Sequence, residues 1–186
     1  RREKCSENIP LNPDKLVVSE ENNYLKGPDK MPLDAGRLGH ISLSLQKFFG
    51  FDSSKHQDDE GKFIKEHQEF ILRKGVENNS KQSFIACISN LYSDDKYSIR
   101  EMKKIIISSL TLDNYISLHN GNLISIFSND DTAVDIGNFK DSKFYKNIDF
   151  DNEKQVMSLT KIAKSFTNFI NYLESDDKVI DHTYLW

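Results

Sequence analysis

Two predicted helices, over residues 99–110 and 152–173, carry clusters of basic side chains. These are the residues of this sequence best suited to binding a negatively charged partner. The six residues are Arg100, Lys103, Lys104, Lys154, Lys161 and Lys164. If the two helix faces converge, these cations would neutralise several phosphates of a nucleic acid, and each such contact adds salt-sensitive affinity. The alternative is that both groups are merely solvated polar helix faces. The six residues are the candidate nucleic-acid-binding residues.

Two serine–lysine pairs have the Ser-x-x-Lys spacing, in which a lysine one helical turn away assists a nucleophilic serine. They are Ser44 with Lys47 and Ser158 with Lys161. The Ser-Asp-Asn and Lys-Thr-Gly words that accompany this motif in serine enzymes are absent from the sequence. Adjacent aspartates fall in polar segments predicted to be hydrated loops, which do not shift a pKa as acid–base catalysis requires. The sequence therefore predicts no catalytic residues and no enzyme.

Histidine and cysteine spacing also argues against a metal site. No two of the five histidines are separated as i and i+4, and the sequence has no Cys-x-x-Cys. A zinc ion bound through Cys5 would need ligands preceding Arg1, and an ordinary cysteine is the favoured alternative. We expect neither a metal nor a cofactor.

The composition fits a folded protein and limits the class of partner. The 186 residues carry a formal net charge of −4, and 37% are hydrophobic, including 12 Phe and 7 Tyr. A negative net charge argues against a nucleic-acid binder that uses its whole surface. The aromatic content supports a real core. The two distant cysteines, Cys5 and Cys87, favour a reducing compartment, and no apolar run is long enough to cross a membrane.

The proline-containing start of the chain predicts an extended arm over residues 1–40. Proline removes a backbone donor and fixes φ, and all the prolines of the sequence fall in this stretch, at Pro10, Pro13, Pro28 and Pro32. From residue 41 onward, apolar residues recur with helical spacing. We therefore expect a helical domain over residues 41–186, giving an all-α fold with an irregular bundle of about six to eight helices.

Capping patterns and a turn signal place several helix ends. Ser98 and Glu101 have the spacing of a capping box, and Thr111 offers a second N-cap. The Asn120-Gly121 pair predicts a break between two helices.

Apolar periodicity places three further helices. The segment from 152 to 173 keeps one face apolar for about six turns and is the strongest predicted element. We also expect a helix over residues 63–73 that ends at Gly75, and a short final helix over residues 179–186. Residues 128–142 are predicted to be a polar loop.

Both ends of the sequence indicate a piece of a larger protein. The chain begins with Arg1 rather than with a methionine, and it ends with Trp186 directly after an apolar Tyr-Leu pair. We expect that further parts of the fold precede and follow it.

Six short words resemble segments of a family of large proteins from nucleocytoplasmic large DNA viruses, which is similar to the large subunit of the viral early transcription factor. The words are Pro32-Leu-x-x-Gly-Arg-x-Gly39, Leu45-Gln-Lys-Phe48, Leu72-Arg-x-Gly-Val-Glu77, Gln82-Ser-Phe-Ile-Ala-Cys87, Asn120-Gly-Asn-Leu123 and His182-x-Tyr-Leu-Trp186. The resemblance covers most of residues 1–127 and the C-terminal tip, and it is weak over residues 128–178. It marks no catalytic residue.

The resemblance implies a protein of early viral transcription, located in the virion and in the cytoplasmic virus factory. The leading hypothesis is a non-catalytic helical domain that scaffolds neighbouring domains and contacts promoter DNA or the viral RNA polymerase. The expected partners are other domains of the same protein, the viral RNA polymerase, a second transcription-factor subunit and DNA. A membrane is not an expected partner. The alternative is a structural virion or packing module without a nucleic-acid role. One contiguous positive patch would favour the first hypothesis, and dispersed charge the second.

Overall fold

The structure is a computed structural model that describes residues 25–52, 55, 71–92, 97–129 and 133–185. Within these residues the chain is mostly helical, with eight α-helices and a pair of short strands. The predicted all-α class is therefore confirmed, apart from the strand pair. Most of the predicted arm, residues 1–24, lies outside the described residues. The chain divides into two compact units, residues 1–75 and 76–186, whereas the sequence suggested a division after residue 40.

The first unit contains strand β1 (Leu38–His40), helix α1 (Leu43–Phe48) and strand β2 (Leu72–Lys74). The two strands pair antiparallel, with Gly39 opposite Arg73. The predicted helix over residues 63–73 is thus wrong at its C-terminal end, because pairing with a distant strand overrides local helix propensity there. Residues 63–70 lie outside the described part of the chain.

Arg73 holds the turn that precedes β1. Its Nε atom donates to the carbonyl oxygen of His40 at 2.7 Å, and Nη2 donates to the carbonyl oxygens of Gly27 at 2.8 Å and Lys30 at 2.5 Å. The carbonyl oxygen of Pro28 is 3.3 Å from the same Nη2 atom. A planar guanidinium suits this arrangement because it directs several donors in one plane. We call Arg73 and these four carbonyls the arginine clamp.

Gly75 is required where two backbone segments nearly touch. Its N–H donates to the carbonyl oxygen of Arg37 at 2.8 Å, and its own carbonyl accepts from the N–H of Gly36 at 2.8 Å. A Cβ atom at position 75 would lie 2.0 Å from the carbonyl oxygen of Asp34. No side chain fits at that distance, so the glycine is fixed by packing.

The second unit is a helical bundle in which the long helix α7 contacts α3, α4 and α5. Its helices are α2 (Ser83–Tyr92), α3 (Ile99–Ser109), α4 (Leu112–Tyr115), α5 (Asn122–Phe127), α6 (Lys143–Lys146), α7 (Glu153–Glu174) and α8 (His182–Leu185). Short 3₁₀ turns cover Leu118–Gly121 and Ile136–Phe139. The second of these turns lies in the segment predicted to be a loop. The final helix is shorter than predicted.

The predicted helix caps are confirmed. The hydroxyl of Ser98 accepts from the N–H of Glu101, and the Glu101 carboxylate accepts from the N–H of Ser98. Thr111 and Asn114 form the same reciprocal arrangement at the start of α4. These local contacts explain why the helix starts were readable from sequence.

The core of the second unit forms on the apolar face of α7. Leu159, Ala163, Phe169 and Leu173 are buried there, as the periodicity predicted. Ser165 is also fully buried. Because a buried hydroxyl needs partners, its contacts are informative: its oxygen lies 2.6 Å from the Tyr115 hydroxyl and donates to the Leu123 carbonyl at 3.1 Å.

Candidate nucleic-acid interface

Helix α3 places three of the predicted basic residues, Arg100, Lys103 and Lys104, at a groove beside the end of α7. Arg100 and Lys104 are exposed on consecutive turns of α3. The groove has a volume of about 320 Å³, and its described lining includes Ile107, Glu174 and Asp176 as well as these cations. We call it the α3 groove. Because two carboxylates share it with the cations, its electrostatic field is mixed rather than purely positive.

Lys103 lies on the same helix but points into the protein, with 5% of its surface exposed. Its ammonium donates to the backbone carbonyls of Glu174 at 3.2 Å and Ser175 at 3.0 Å. It also donates to Gln82 Oε1 at 3.3 Å and to Asp176 Oδ1 at 3.0 Å. This placement corrects the picture of α3 as a simple exposed basic face, because four protein oxygens already occupy the Lys103 ammonium. We call this arrangement the lysine clamp.

Gln82 completes the lysine clamp. Its only signal in the sequence is the Gln82–Cys87 motif, which predicts no structural role for it. Its side chain is 1% exposed, and its amide nitrogen donates to the carbonyls of Ser175 at 2.8 Å and Lys178 at 3.0 Å. The last carbonyls of a helix carry partial negative charge and have no partners within the helix. Gln82 and Lys103 together supply those partners for Glu174 and Ser175 at the end of α7, and the bond to Lys178 holds the segment that follows the helix.

The carboxylates around α3 respond to their donors. The pKa of Asp176 lies below its ordinary value, first because Lys103 donates a hydrogen bond to it and then because of the Lys103 charge, with Arg100 adding a smaller effect. The pKa of Glu101 is also lowered, chiefly by hydrogen bonds from Ser98 and to a smaller degree by the Lys104 charge. Both carboxylates are therefore firmly anionic at neutral pH and partly neutralise the cations of α3.

Helix α7 separates its three predicted basic residues along its length. Its N-cap is Asn152, whose side-chain oxygen accepts from the N–H groups of Lys154 and Gln155. Lys154 is exposed and borders a cavity of about 370 Å³ beside α6, lined also by Phe144 and Ile148. This position is at the start of the helix.

Lys161 and Lys164 lie about two turns further along α7, at a different groove. Lys161 is exposed and Lys164 is half-buried. The groove has a volume of about 500 Å³ and lies beside the end of α5, with Asn129 and Met157 in its lining. We call it the α7 groove. No acidic side chain is found among the described residues that line it.

The six candidate residues therefore do not converge on one surface. Arg100, Lys103 and Lys104 line the α3 groove, Lys154 borders the cavity beside α6, and two lysines border the α7 groove. No described lining residue is common to any two of these sites. Lys103 is internal.

A signal for the buried position of Lys103 was present in the sequence. Lys103 follows the buried Ile99 by four residues and precedes the half-buried Ile106 by three. It thus occupies the apolar stripe of α3 rather than its polar side.

Other candidate chemistry from the sequence finds no organised site in the described part of the chain. The hydroxyl of Ser158 donates to the carbonyl of Lys154 at 2.9 Å. Cys87 is an exposed free thiol, and Cys5 lies outside the described residues. Across residues 25–52, 55, 71–92, 97–129 and 133–185, no three histidine, cysteine or acidic side chains cluster in a way that would hold a metal.

Within those same ranges, no helix has both the length and the hydropathy that are needed to cross a membrane.

Comparison of the chain with protein-family models, with curated proteins and with solved structures gives no match.

Proposed function

We propose that this chain is a non-catalytic helical scaffold domain of a protein related to the viral early transcription factor. It holds neighbouring domains of that protein and contacts the viral RNA polymerase, in the virion and in the cytoplasmic virus factory. The viral assignment rests on the resemblance of the six words. The scaffold role rests on the distribution of charge.

The observation that carries the scaffold role is the separation of the candidate cations. Lys103 is enclosed by four acceptors, and the six cations are divided among three different cavities. Tight binding to duplex DNA requires several cations along one phosphate path, because each released counterion adds to the affinity. Dispersed charge favours contacts with proteins over contacts with DNA.

The residues of the resembling words support a structural role for this segment. Arg73 forms the arginine clamp, Gly75 permits a close backbone contact, and Gln82 binds carbonyls at the end of α7. Glu77 accepts from the N–H of Ile99 at 2.8 Å and so stabilises the start of α3. Each of these residues organises backbone rather than presenting a reactive group.

Direct contact with DNA is the second candidate function, and one observation favours it. The α7 groove combines Lys161 and Lys164 with no acidic side chain among its described lining residues. Two cations at one groove would contribute two phosphate contacts, which is the scale of weak binding with a modest salt dependence.

Fluorescence anisotropy of the intact chain with duplex DNA, titrated across salt concentrations, separates the two candidates. The test variant is Lys161→Glu with Lys164→Glu. The matched control is Lys140→Glu with Lys178→Glu, which changes the net charge equally at two exposed positions outside the three cavities. The scaffold proposal expects no salt-dependent binding above background, even at low salt.

Binding that weakens as salt increases, and that only the test variant abolishes, would replace the scaffold proposal by direct DNA contact. Gel filtration of the intact chain with purified viral RNA polymerase examines the scaffold role itself. Co-elution that the test variant leaves unchanged supports the proposal, and separate elution contradicts the polymerase contact.

A further inference from the structure

The turn between α4 and α5 has an unusual backbone. His119 and Asn120 have φ angles of 50° and 54°, and Gly121 follows with a φ of 82°. Three consecutive residues therefore lie in the left-handed region, which L side chains adopt at a cost. Asparagine tolerates this region better than most residues. The turn combines this geometry with the one Asn-Gly dipeptide of the sequence.

The side chain of Asn120 is available for reaction. The residue is exposed, and its amide has no hydrogen-bond partner among the described residues. Gly121 follows without a Cβ atom, so no side chain of its own crowds the approach of the Asn120 side chain to its backbone nitrogen. Where a Cβ would be placed on Gly121, the nearest atom outside its chain neighbours and the backbone of its own turn is the carbonyl oxygen of Ile116 at 3.5 Å. The peptide between residues 120 and 121 thus has space on this side.

An asparagine followed by glycine can undergo an internal cyclisation. The backbone nitrogen of Gly121 attacks Cγ of Asn120, the new N–Cγ bond forms, and the Cγ–Nδ2 bond breaks with release of ammonia. Water then adds to either carbonyl of the succinimide ring. Opening at one carbonyl gives aspartate, and opening at the other gives isoaspartate, in which the main chain runs through the former side chain.

The cyclisation requires rotation about the Cα–C bond of Asn120, which turns the Gly121 nitrogen towards the side chain. A rotation of the intervening peptide changes ψ of Asn120 and φ of Gly121 together. Glycine accepts φ angles of either sign at little cost. Gly121 is therefore able to absorb the rotation without disturbing the start of α5.

Asn79 is an internal contrast to Asn120. It precedes Ser80, the second small residue that follows an asparagine in the described chain. Its side-chain oxygen accepts from the N–H groups of Lys81 at 2.9 Å and Gln82 at 3.0 Å. These two bonds hold the Asn79 side chain away from the nitrogen of Ser80.

From these observations we propose that Asn120 is a site of succinimide-mediated deamidation in the folded protein, with water as the only co-reactant. The product places a new carboxylate in the turn, and isoaspartate also lengthens the main chain there. Leu123, two residues after Gly121, is fully buried, and its carbonyl accepts from Ser165. Conversion of Asn120 therefore alters the attachment of α5 to α7.

Peptide mapping by mass spectrometry tests the proposal. The intact chain is incubated at mildly alkaline pH, in buffer and in denaturant, and the Asp and isoAsp forms of residues 79 and 120 are followed over time. We expect Asn120 to react in the folded chain at a rate within a few-fold of its rate in denaturant. Asn79 should be strongly protected by folding. An Asn120→Gln variant should lose the charge heterogeneity that isoelectric focusing detects.

Protection of Asn120 by folding to the same degree as Asn79 would overturn the proposal, since the structure would then hold both side chains equally. Acidic heterogeneity that persists in the Asn120→Gln variant at the level of the unmodified chain would also overturn it.

Discussion

The two units of this protein use a basic side chain for the same purpose in different ways. In the first unit, Arg73 reaches four backbone carbonyls of a turn and a strand through a planar guanidinium. In the second unit, Lys103 places a compact ammonium against two carbonyls, an amide oxygen and a carboxylate. The guanidinium is half-buried, and the ammonium is almost fully enclosed.

This difference in burial indicates how each unit accommodates a cation. A buried charge is costly unless every donor is satisfied. Lys103 meets this requirement with four acceptors, of which only Asp176 carries a full charge. Arg73 is only half-buried. Its contribution to the stability of the first unit therefore depends more on the directions of its hydrogen bonds than on offsetting the cost of a buried charge.

The largest effect is expected from Lys103→Met, which keeps the aliphatic stem and removes the ammonium. The change leaves Gln82 Oε1 and the carbonyl of Glu174 without their donor, whereas the carbonyl of Ser175 keeps its bond from Gln82. We expect the free energy of unfolding of the second unit to fall by about 2–4 kcal/mol. Denaturant titration measures it.

Lys104→Met is the matched control for Lys103→Met, because Lys104 is exposed one position away. It should change the free energy of unfolding by no more than about 0.5 kcal/mol. Equal effects of the two substitutions would mean that the lysine clamp contributes nothing.

Gly75→Ala should have the next largest effect, because it disrupts the backbone contact beside the arginine clamp. The added Cβ would lie 2.0 Å from the carbonyl oxygen of Asp34, so the backbone must shift. We expect destabilisation of the first unit by about 1–3 kcal/mol, measured as faster hydrogen exchange of the Gly36 N–H. Gly27→Ala is the control, since no atom lies within 4 Å of the Cβ it would add. If both variants exchange alike, the close contact is not limiting.

Arg73→Lys tests whether the shape of the guanidinium matters. Lysine keeps the charge but cannot direct planar donors to His40 and the preceding turn together, so we expect a loss of about 1–2 kcal/mol. The exchange rates of the Lys26 and His40 N–H groups report it. Lys74→Arg, the reverse change at the exposed neighbouring position, should be neutral. A neutral Arg73→Lys would show that charge alone is sufficient.

The smallest expected effect is a difference between the two units in how their stability responds to acid. Burial and the nearby Arg73 charge lower the pKa of His40 below its ordinary value of 6.5. The unfolded chain then binds the proton first, so stability of the first unit is complete above pH 6.5 and falls as pH decreases below it.

The lysine clamp should respond only at lower pH. The pKa of Asp176 is lowered from 3.8, so its contribution is present above that pH and is lost as pH falls through the lowered pKa. Hydrogen exchange of the two units at pH values between 4 and 7 measures the difference. Coincident loss of protection in both units, or an unchanged response in His40→Gln, would contradict it.

Local signals in the sequence were sufficient for much of the helical structure. The capping box of Ser98 and Glu101 and the apolar face of α7 depend on residues within a few turns, so pattern alone located them. Strand β2 was missed because its partner β1 is distant in sequence, with Gly39 opposite Arg73, and no local pattern encodes that partner.

The candidate site was harder to predict than the helices. The basic residues were identified by type, but their convergence depends on how helices pack, which residue type does not reveal. Lys103 shows this most clearly, since its position on the apolar stripe of α3 conflicted with its charge. The partners that resolve the conflict, Gln82 and the carbonyls at the end of α7, belong to other elements that are distant in sequence.

The contact between Lys81 and Ile180 has a mechanical consequence. The N–H of Ile180 donates to the carbonyl of Lys81 at 2.9 Å, and Gln82 binds the carbonyls of Ser175 and Lys178. Chain segments from near the start and near the end of the second unit are therefore fastened side by side. A pulling force applied to these two segments would act first on these hydrogen bonds. The helices between the two segments would experience the force only after the hydrogen bonds had broken.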